Sequence, residues 1–235
     1  MTGRLYGVGV GPGDPELITL KAKKILEKSK NIAVPKSYQE KESVAFSIAK
    51  NFLIDKYNLM EFVFPMTHDS KELLKSWGKA ADDIALKLDE GEDVTFITLG
   101  DPSVYSTYMY IHRQLVERGY DVEIIPGVTS FCASAAQAGI SLAENRETIA
   151  IIPSSYQCDN FDTILDSFDN IVMMKVAKNL SYINEKLLEK GLLNNAVLVS
   201  KCGMEDQMVE RNVKKLEKQN LSYFTTLIIK RNGEK

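Results

Sequence analysis

The sequence predicts an α/β protein of two domains, an N-terminal five-stranded, mainly parallel sheet followed by a C-terminal mixed sheet. Three observations carry that reading. Short β-rich apolar runs alternate with helix-length periodic segments through the first half of the chain. The second half repeats the ingredients but closes on two strand-like runs with only a short polar stretch between them. The 235 residues are long for one compact domain and suit two smaller ones. The boundary falls near Pro126–Gly127, giving domains 1–126 and 127–235.

In chain order, Leu5–Val10 reads as the first strand, and Pro15–Ser29 as a helix with Leu17, Leu20, Ile25 and Leu26 inward. Asn31–Pro35 is a second strand, Ser43–Leu53 a helix and Met60–Met66 a third strand. The next helix has the clearest 3.6-residue period: Leu73, Leu74, Trp77, Ala81, Ile84, Ala85 and Leu88 fall on one face before Gly91. Asp93–Leu99 is a fourth strand, Pro102–Arg118 a helix stopped by Gly119, and Asp121–Pro126 a fifth strand. Strands linked by helices imply a parallel sheet covered on both faces. Beyond the boundary, Thr129–Ala138 is a helix, Thr148–Ile152, Asn170–Lys175 and Asn195–Ser200 are strands, and Leu180–Lys190 is a helix. Met208–Val213 and Tyr223–Lys230, separated by the stretch KKLEKQNLS, predict a closing hairpin or meander.

Composition narrows the function classes. A net charge of −3, from 29 basic and 32 acidic residues, gives no support to general binding of nucleic acid or a membrane surface. Cys132, Cys158 and Cys202 are scattered without a CxxC pair, as buried thiols of a reducing cytoplasm would be. The start MTGRLYGVGV does not read as a signal peptide, and no apolar run reaches membrane-spanning length. The expectation is a cytoplasmic protein.

Two strands run into the same tripeptide, Gly13-Asp14-Pro15 and Gly100-Asp101-Pro102. Glycine permits a tight turn, aspartate is a favoured N-cap and proline suits the first helical position. A helix start that carries its own carboxylate disfavours a phosphate and suits a neutral or cationic ligand. The alternating Gly7, Gly9, Gly11 and Gly13 fail the dinucleotide fingerprint, because Pro12 and Asp14 stand where its third glycine would fall. The second strand ends in Pro35-Lys36-Ser37 rather than in an acidic residue. No P-loop and no Gly-x-Ser-x-Gly elbow occurs, and His68 and His112 lack a second ligand at metal spacing. The metal expectation is none.

What remains is a set of loops after strand ends, where open α/β sheets bind ligands: GPGDPEL, VPKSY, LGDPSVYSTY, PGVTSFCASAA, MKVAK and SKCGMEDQ. The start GVGVGPGDPELITLKA, the LGDPSVYSTY loop, PGVTSFCAS and the late MKV and KCGMED segments resemble the tetrapyrrole methylase family of S-adenosylmethionine-dependent enzymes, from Arg4 to about Lys230. Within the family, VPKS, SVYSTY and SFCASAA most resemble the branch that methylates C20 of precorrin-2 or cobalt-factor II in cobalamin synthesis.

The resemblance implies S-adenosylmethionine folded into the cleft between two α/β domains, with a tetrapyrrole as substrate and a homodimer as the assembly. Leu99, Gly100, Asp101, Val104 and Tyr105 would line the cofactor site from the first domain, followed by Thr129 and Ser130. Lys175, with Met174 as the alternative register, Val176, Gly203, Met204, Thr225 and Thr226 would complete it. Pro12 would touch both ligands, and the loop of Asp14 would border the tetrapyrrole. Asp101 either orients the cofactor or only fixes its own loop.

The acceptor carbon is electron-rich, so alignment can supply much of the catalysis, while a base or water takes the C20 proton. Asp14, Tyr38 and Tyr105 are the candidates. Lys36, His68, Arg113 and Arg146 are candidate clamps for the substrate's carboxylates; Lys36, just past a strand end, is preferred, with Asp14 and Tyr38 beside it at the substrate. Other readings are methylation of a different corrin position, of a modified histidine in a translation factor or of ribosomal RNA, and non-catalytic binding of tetrapyrrole or cofactor.

Overall fold

A computed structural model describes residues 2–36, 43–65, 67, 69–154, 160–216 and 219–233. The chain divides into two compact units, Met1–Thr129 and Ser130–Lys235.

The first unit contains β1 (Arg4–Gly9), α1 (Leu20–Leu26), β2 (Asn31–Lys36), α2 (Val44–Ala49), β3 (Asn58–Val63), α3 (Ser70–Asp89), β4 (Val94–Thr98), α4 (Tyr108–Glu117) and β5 (Asp121–Ile125). Its strands lie in the order β3-β2-β4-β1-β5, with every pair parallel. All of β4 is buried, as a central strand covered on both faces must be. Alternation along the strands feeds two cores. Leu5, Ala33 and Phe96 pack with α3 and α4, whereas Val8, Ile32, Val34 and Ile97 pack with α1 and α2. Gly7 points to the first of these cores because Tyr108 occupies the space: a Cβ there would lie 2.1 Å from the tyrosine ring.

The order places a topological switch in the middle of the sheet. From β1 the chain crosses to β2 on one side, and from β4 it crosses to β5 on the other, although β1 and β4 are neighbours. Their following segments leave toward opposite faces, which opens a crevice at the carboxyl ends of these two strands. Both Gly-Asp-Pro turns stand at that crevice.

The second unit contains α5 (Ser130–Ala138), β6 (Ile149–Pro153), α6 (Phe161–Ser167), β7 (Asn170–Met174), α7 (Leu180–Glu189), β8 (Ala196–Ser200), β9 (Met208–Glu210) and β10 (Thr225–Lys230). Its sheet is mixed, in the order β6-β7-β10-β8-β9. β6 and β7 are parallel, while β10 runs antiparallel to both β7 and β8. β10 is buried from end to end.

Each expected strand has a counterpart, although β3 spans Asn58–Val63 and β9 only Met208–Glu210; the larger differences lie in the helix bounds and in the last connection. The helix expected over Pro15–Ser29 is split: a 3-10 turn at Pro15–Leu17 precedes α1, whose start is capped by Thr19 Oγ1 accepting the Ala22 N–H at 3.2 Å. The segment expected to be helical from Ser43 to Leu53 is α-helical only over α2, then tightens to a 3-10 turn at Lys50–Phe52. The helix expected from Pro102 begins only at Tyr108.

In α3 the expected inner face starts too early. Leu74 is 58% exposed, and the buried run is Ala80, Ala81, Ile84, Ala85 and Leu88. Trp77 packs partly buried against this core and also stacks on Tyr110 of α4, with ring centroids 3.8 Å apart. Helix α6 was not expected, since only Phe161 and Leu165 are buried in it, too few for a periodic signal.

No β9–β10 hairpin forms. β8 lies between these strands and pairs antiparallel with each. The linking stretch buries Val213 and Leu216 in the core and so acts as a packed crossover rather than a turn.

Candidate functional site

At the switch crevice three backbones meet with no room for a side chain. Gly11 and Gly100 form an antiparallel bridge, with Gly100 N–H donating to Gly11 O at 2.7 Å and Gly11 N–H to Gly100 O at 3.3 Å. A Cβ on Gly127 would stand 2.2 Å from Gly100 O, and one on Gly9 would stand 2.6 Å from the same oxygen. Gly100 has φ +70, in the left-handed region that glycine enters without cost. The ends of β1, β4 and β5 therefore join in a cradle built of main chain, with buried Pro12 beside it.

The two aspartates do different work there. Asp14 Oδ1 accepts the Glu16 N–H at 2.8 Å and caps the 3-10 turn, with Pro15 at its first position. Asp101 caps no helix, because α4 starts later. Its Oδ1 takes the N–H of Ser103 at 2.8 Å together with that residue's hydroxyl, and its Oδ2 takes the Gly127 N–H at 2.9 Å. Both oxygens are thus spent on bracing the β4 loop against Pro126-Gly127. The helix-start argument for disfavouring a phosphate does not apply to this turn.

Downstream, Ser106 Oγ pairs with Thr98 Oγ1 at 2.9 Å and accepts the Tyr108 N–H, which fixes the start of α4. Tyr105 projects from this braced loop, 49% exposed and with φ 48. The Thr129 hydroxyl is buried and has no partner among the described residues, an unspent polar group at the end of the Pro-Gly-Val segment.

In the second unit a matching construction sits where β7 and β8 end and β10 begins. Lys175 and Lys201 each follow their strand in the left-handed conformation, with φ 63 and φ 52. Their N–H groups donate to consecutive carbonyls ahead of and within β10, Lys201 to Phe224 O at 2.8 Å and Lys175 to Thr225 O at 2.9 Å. The Lys175 ammonium lies 5.3 Å from the Tyr223 ring centroid. Among the described residues, three of the four non-glycine residues with positive φ, Tyr105, Lys175 and Lys201, thus stand in strand-end loops singled out from sequence. Strain of this kind costs about 1–3 kcal/mol per residue and collects where a ligand must be met in a set geometry.

Within this unit the structure brings Lys175, Val176, Thr225, Thr226, Gly203 and Met204 to one end of the sheet. Val176 is fully buried in the core, so only its backbone faces outward roles. Thr225 spends its hydroxyl on Ser222 O at 2.6 Å and Ser200 Oγ at 2.9 Å, as a brace of the strand ends.

Among the candidate clamps, Lys36 at the end of β2 is paired with Glu61 at 3.1 Å, so a substrate carboxylate would compete with a partner already present. Arg113 lies over the Tyr110 ring at 5.7 Å, and Arg146 is exposed in the turn before β6. Tyr38 and His68 lie outside the described residues. A separate polar pocket lined by Gly139, Ser141, Glu147 and Lys230 lies at the opposite end of β10. There Lys230 Nζ donates to Ser141 O and Oγ at 3.1 and 3.0 Å, with Glu147 at 3.6 Å, so its charge serves the fold.

Gly9, Gly127, Lys201 and Gln207 were missed from sequence as site builders. The alternating glycines were the available signal, but they mark backbone contact rather than a fingerprint. Among the described residues no group of three or more His, Cys, Asp or Glu could hold a metal ion. No described helix is long and apolar enough to cross a membrane.

The family model for Tetrapyrrole (Corrin/Porphyrin) Methylases matches residues 4–217. The chain belongs to the tetrapyrrole methylase family. Among relatives of this tetrapyrrole methylase, a probable cobalt-precorrin-2 C(20)-methyltransferase of Methanocaldococcus jannaschii is 39% identical over 97% of this chain and 96% of that protein. The cobalt-precorrin-2 C(20)-methyltransferase of Salmonella typhimurium is 31% identical over 100% of this chain and 99% of its own. The solved uroporphyrin-III C-methyl transferase of Thermus thermophilus, complexed with S-adenyl homocysteine, shares the fold with a TM-score of 0.71 at 20% identity, covering 97% of each chain.

Proposed function

We propose that this chain is an S-adenosylmethionine-dependent methyltransferase that methylates C20 of a precorrin-2-type ring in cobalamin synthesis. The observation that carries the reading is near-full-length similarity to relatives named for C(20) methylation. Their names favour the cobalt-bearing ring as substrate. The residues of these loops fit the donor. The glycine junction fixes the main chain of the strand-end loops, the buried Thr129 hydroxyl offers an unspent hydrogen bond, and no phosphate-binding loop is required.

The donor contacts in this reading are Leu99, Gly100, Val104, Tyr105, Thr129 and Ser130, then Lys175, Gly203, Met204 and Thr226. Asp101 acts through its brace, holding Gly100 and Gly127 in place rather than gripping the donor. When bound, S-adenosylmethionine supplies a methyl group on an electrophilic sulfonium. The chain's own task is alignment and water exclusion, since the ring carbon is already electron-rich.

Asp14, whose Oδ1 alone is engaged among the described residues, Tyr105, exposed on a braced loop, and Tyr38 are the groups proposed to take or relay the C20 proton. Tyr38 and Lys36 stay assigned to the substrate with Pro12 at the join of the two ligands. The enzyme works in the cytoplasm as a homodimer without a resident metal. Incubation with methyl-labelled donor and the cobalt-bearing or metal-free ring, followed by mass and NMR analysis, tests the proposal. A single added methyl at C20 supports it, whereas binding of either ligand without transfer supports a carrier or sensor instead.

A further inference from the structure

Gln207 ties two segments of the second unit together, and neither the fold nor the ion pairs require it to do so. The loop after β8 turns through left-handed Lys201 and through Gly203, whose φ is +77. It is closed by Met204 N–H donating to Lys201 O at 3.0 Å and by the Lys201–Asp206 ion pair. Inside that closure the Gly203 N–H would point to no main-chain acceptor. Gln207 Oε1 accepts it at 2.7 Å. The same amide then donates through Nε2 to Gln137 Oε1, at 3.0 Å, on α5. Helix α5 opens at Ser130, so one side chain sets both the Gly203-Met204 edge and the helix that carries Ser130.

We propose that Gln207 is a positioning residue for methyl-donor binding, holding the 203–204 backbone in register with α5. This rests on the donor-site reading above. An unbraced loop would have to be ordered when the donor binds, and that ordering would be subtracted from affinity. Removing Gln207 leaves the β8–β9 pairing and the Lys201–Asp206 pair in place, so the fold persists while the loop loses its set geometry.

The test uses the full chain, with S-adenosylhomocysteine as the titrated ligand, in wild type, Gln207→Met and Gln207→Glu. Methionine keeps the bulk without either hydrogen bond. Glutamate still accepts from Gly203, and Gln137 can turn its amide to donate to it. The expected result is a Kd about tenfold weaker for Gln207→Met and within about threefold of wild type for Gln207→Glu. Amide exchange at residues 203–207 of the unliganded Met variant is expected to be faster, with the melting temperature little changed. A Met variant that binds within about twofold of wild type, whether or not its melting temperature falls, overturns the role of Gln207 alone. A folded wild type that does not bind S-adenosylhomocysteine overturns the donor-site reading, and this proposal with it.

Discussion

Asp101 and Lys175 show how much a single residue's role depends on what its neighbours leave it to do. Asp101 accepts three hydrogen bonds from Ser103 and Gly127, so its removal releases a loop. Asp101→Ala is expected to lose about 1–2 kcal/mol in urea unfolding and to weaken donor binding through the loosened cradle. Asp101→Asn keeps the Ser103 acceptor but cannot accept from both sides, and should fall between. Full donor affinity in a destabilised Asp101→Ala protein would separate the brace from binding.

Lys175 tests the converse. Glycine relieves a left-handed backbone, so Lys175→Gly should gain about 1 kcal/mol of stability. It should also bind donor more weakly if the ammonium over Tyr223 shapes the site. The sequence made Asp101 legible as a turn residue. It did not reveal that the aspartate's partner is Gly127, far along the chain, because a long-range donor leaves no local pattern. At Gly127 itself, alanine would drive its Cβ into Gly100 O, and a loss of about 3 kcal/mol is expected in the same unfolding assay.

At the scale of elements, the strands were readable and the helix starts were not. β-rich runs announce themselves by composition, whereas α4 begins at Tyr108 because Ser106 and the Asp101 turn hold the preceding residues out of the helix. A proline after an N-capping aspartate fits either outcome. The hairpin expectation failed for a related reason: Val213 and Leu216 are too few to mark a crossover, yet their burial carries the chain past β8.

Helix α4 also carries a pH-sensitive contact. Tyr108 OH lies 3.1 Å from His112 Nδ1, and both groups are pushed toward neutrality by burial, the phenol upward and the imidazole downward, with Arg113 adding to the latter. With its folded pKa below the unfolded one, His112 contributes full stability above the unfolded value. It costs stability as the pH falls below about 6.5, because only the unfolded chain then gains the proton. Melting temperatures followed from pH 8 to pH 5 should fall more for wild type than for His112→Gln, at about those pH values. Parallel curves would remove His112 from the account.

For the whole molecule, two α/β units and their sheet types followed from the rhythm of strands and helices. Strand order did not, since it is fixed by crossovers over β4 and β1 and by insertion of β10 between β7 and β8. The order matters most for function. It puts both Gly-Asp-Pro turns at one switch crevice and sets Lys175 and Lys201 on either side of β10. Loop motifs alone pointed to these strand ends; the glycine junction within the first unit and the lysine pair within the second follow from strand order, which no local motif carries.

The central claim is transfer of one methyl group to C20. Purified protein, S-adenosylmethionine carrying a labelled methyl and the precorrin-2-type ring, with and without cobalt, should yield a product that has gained a single labelled methyl, assigned to C20 by NMR, and faster with cobalt present. A ring recovered unmethylated from folded, donor-binding protein, or labelled at another carbon, would contradict the account.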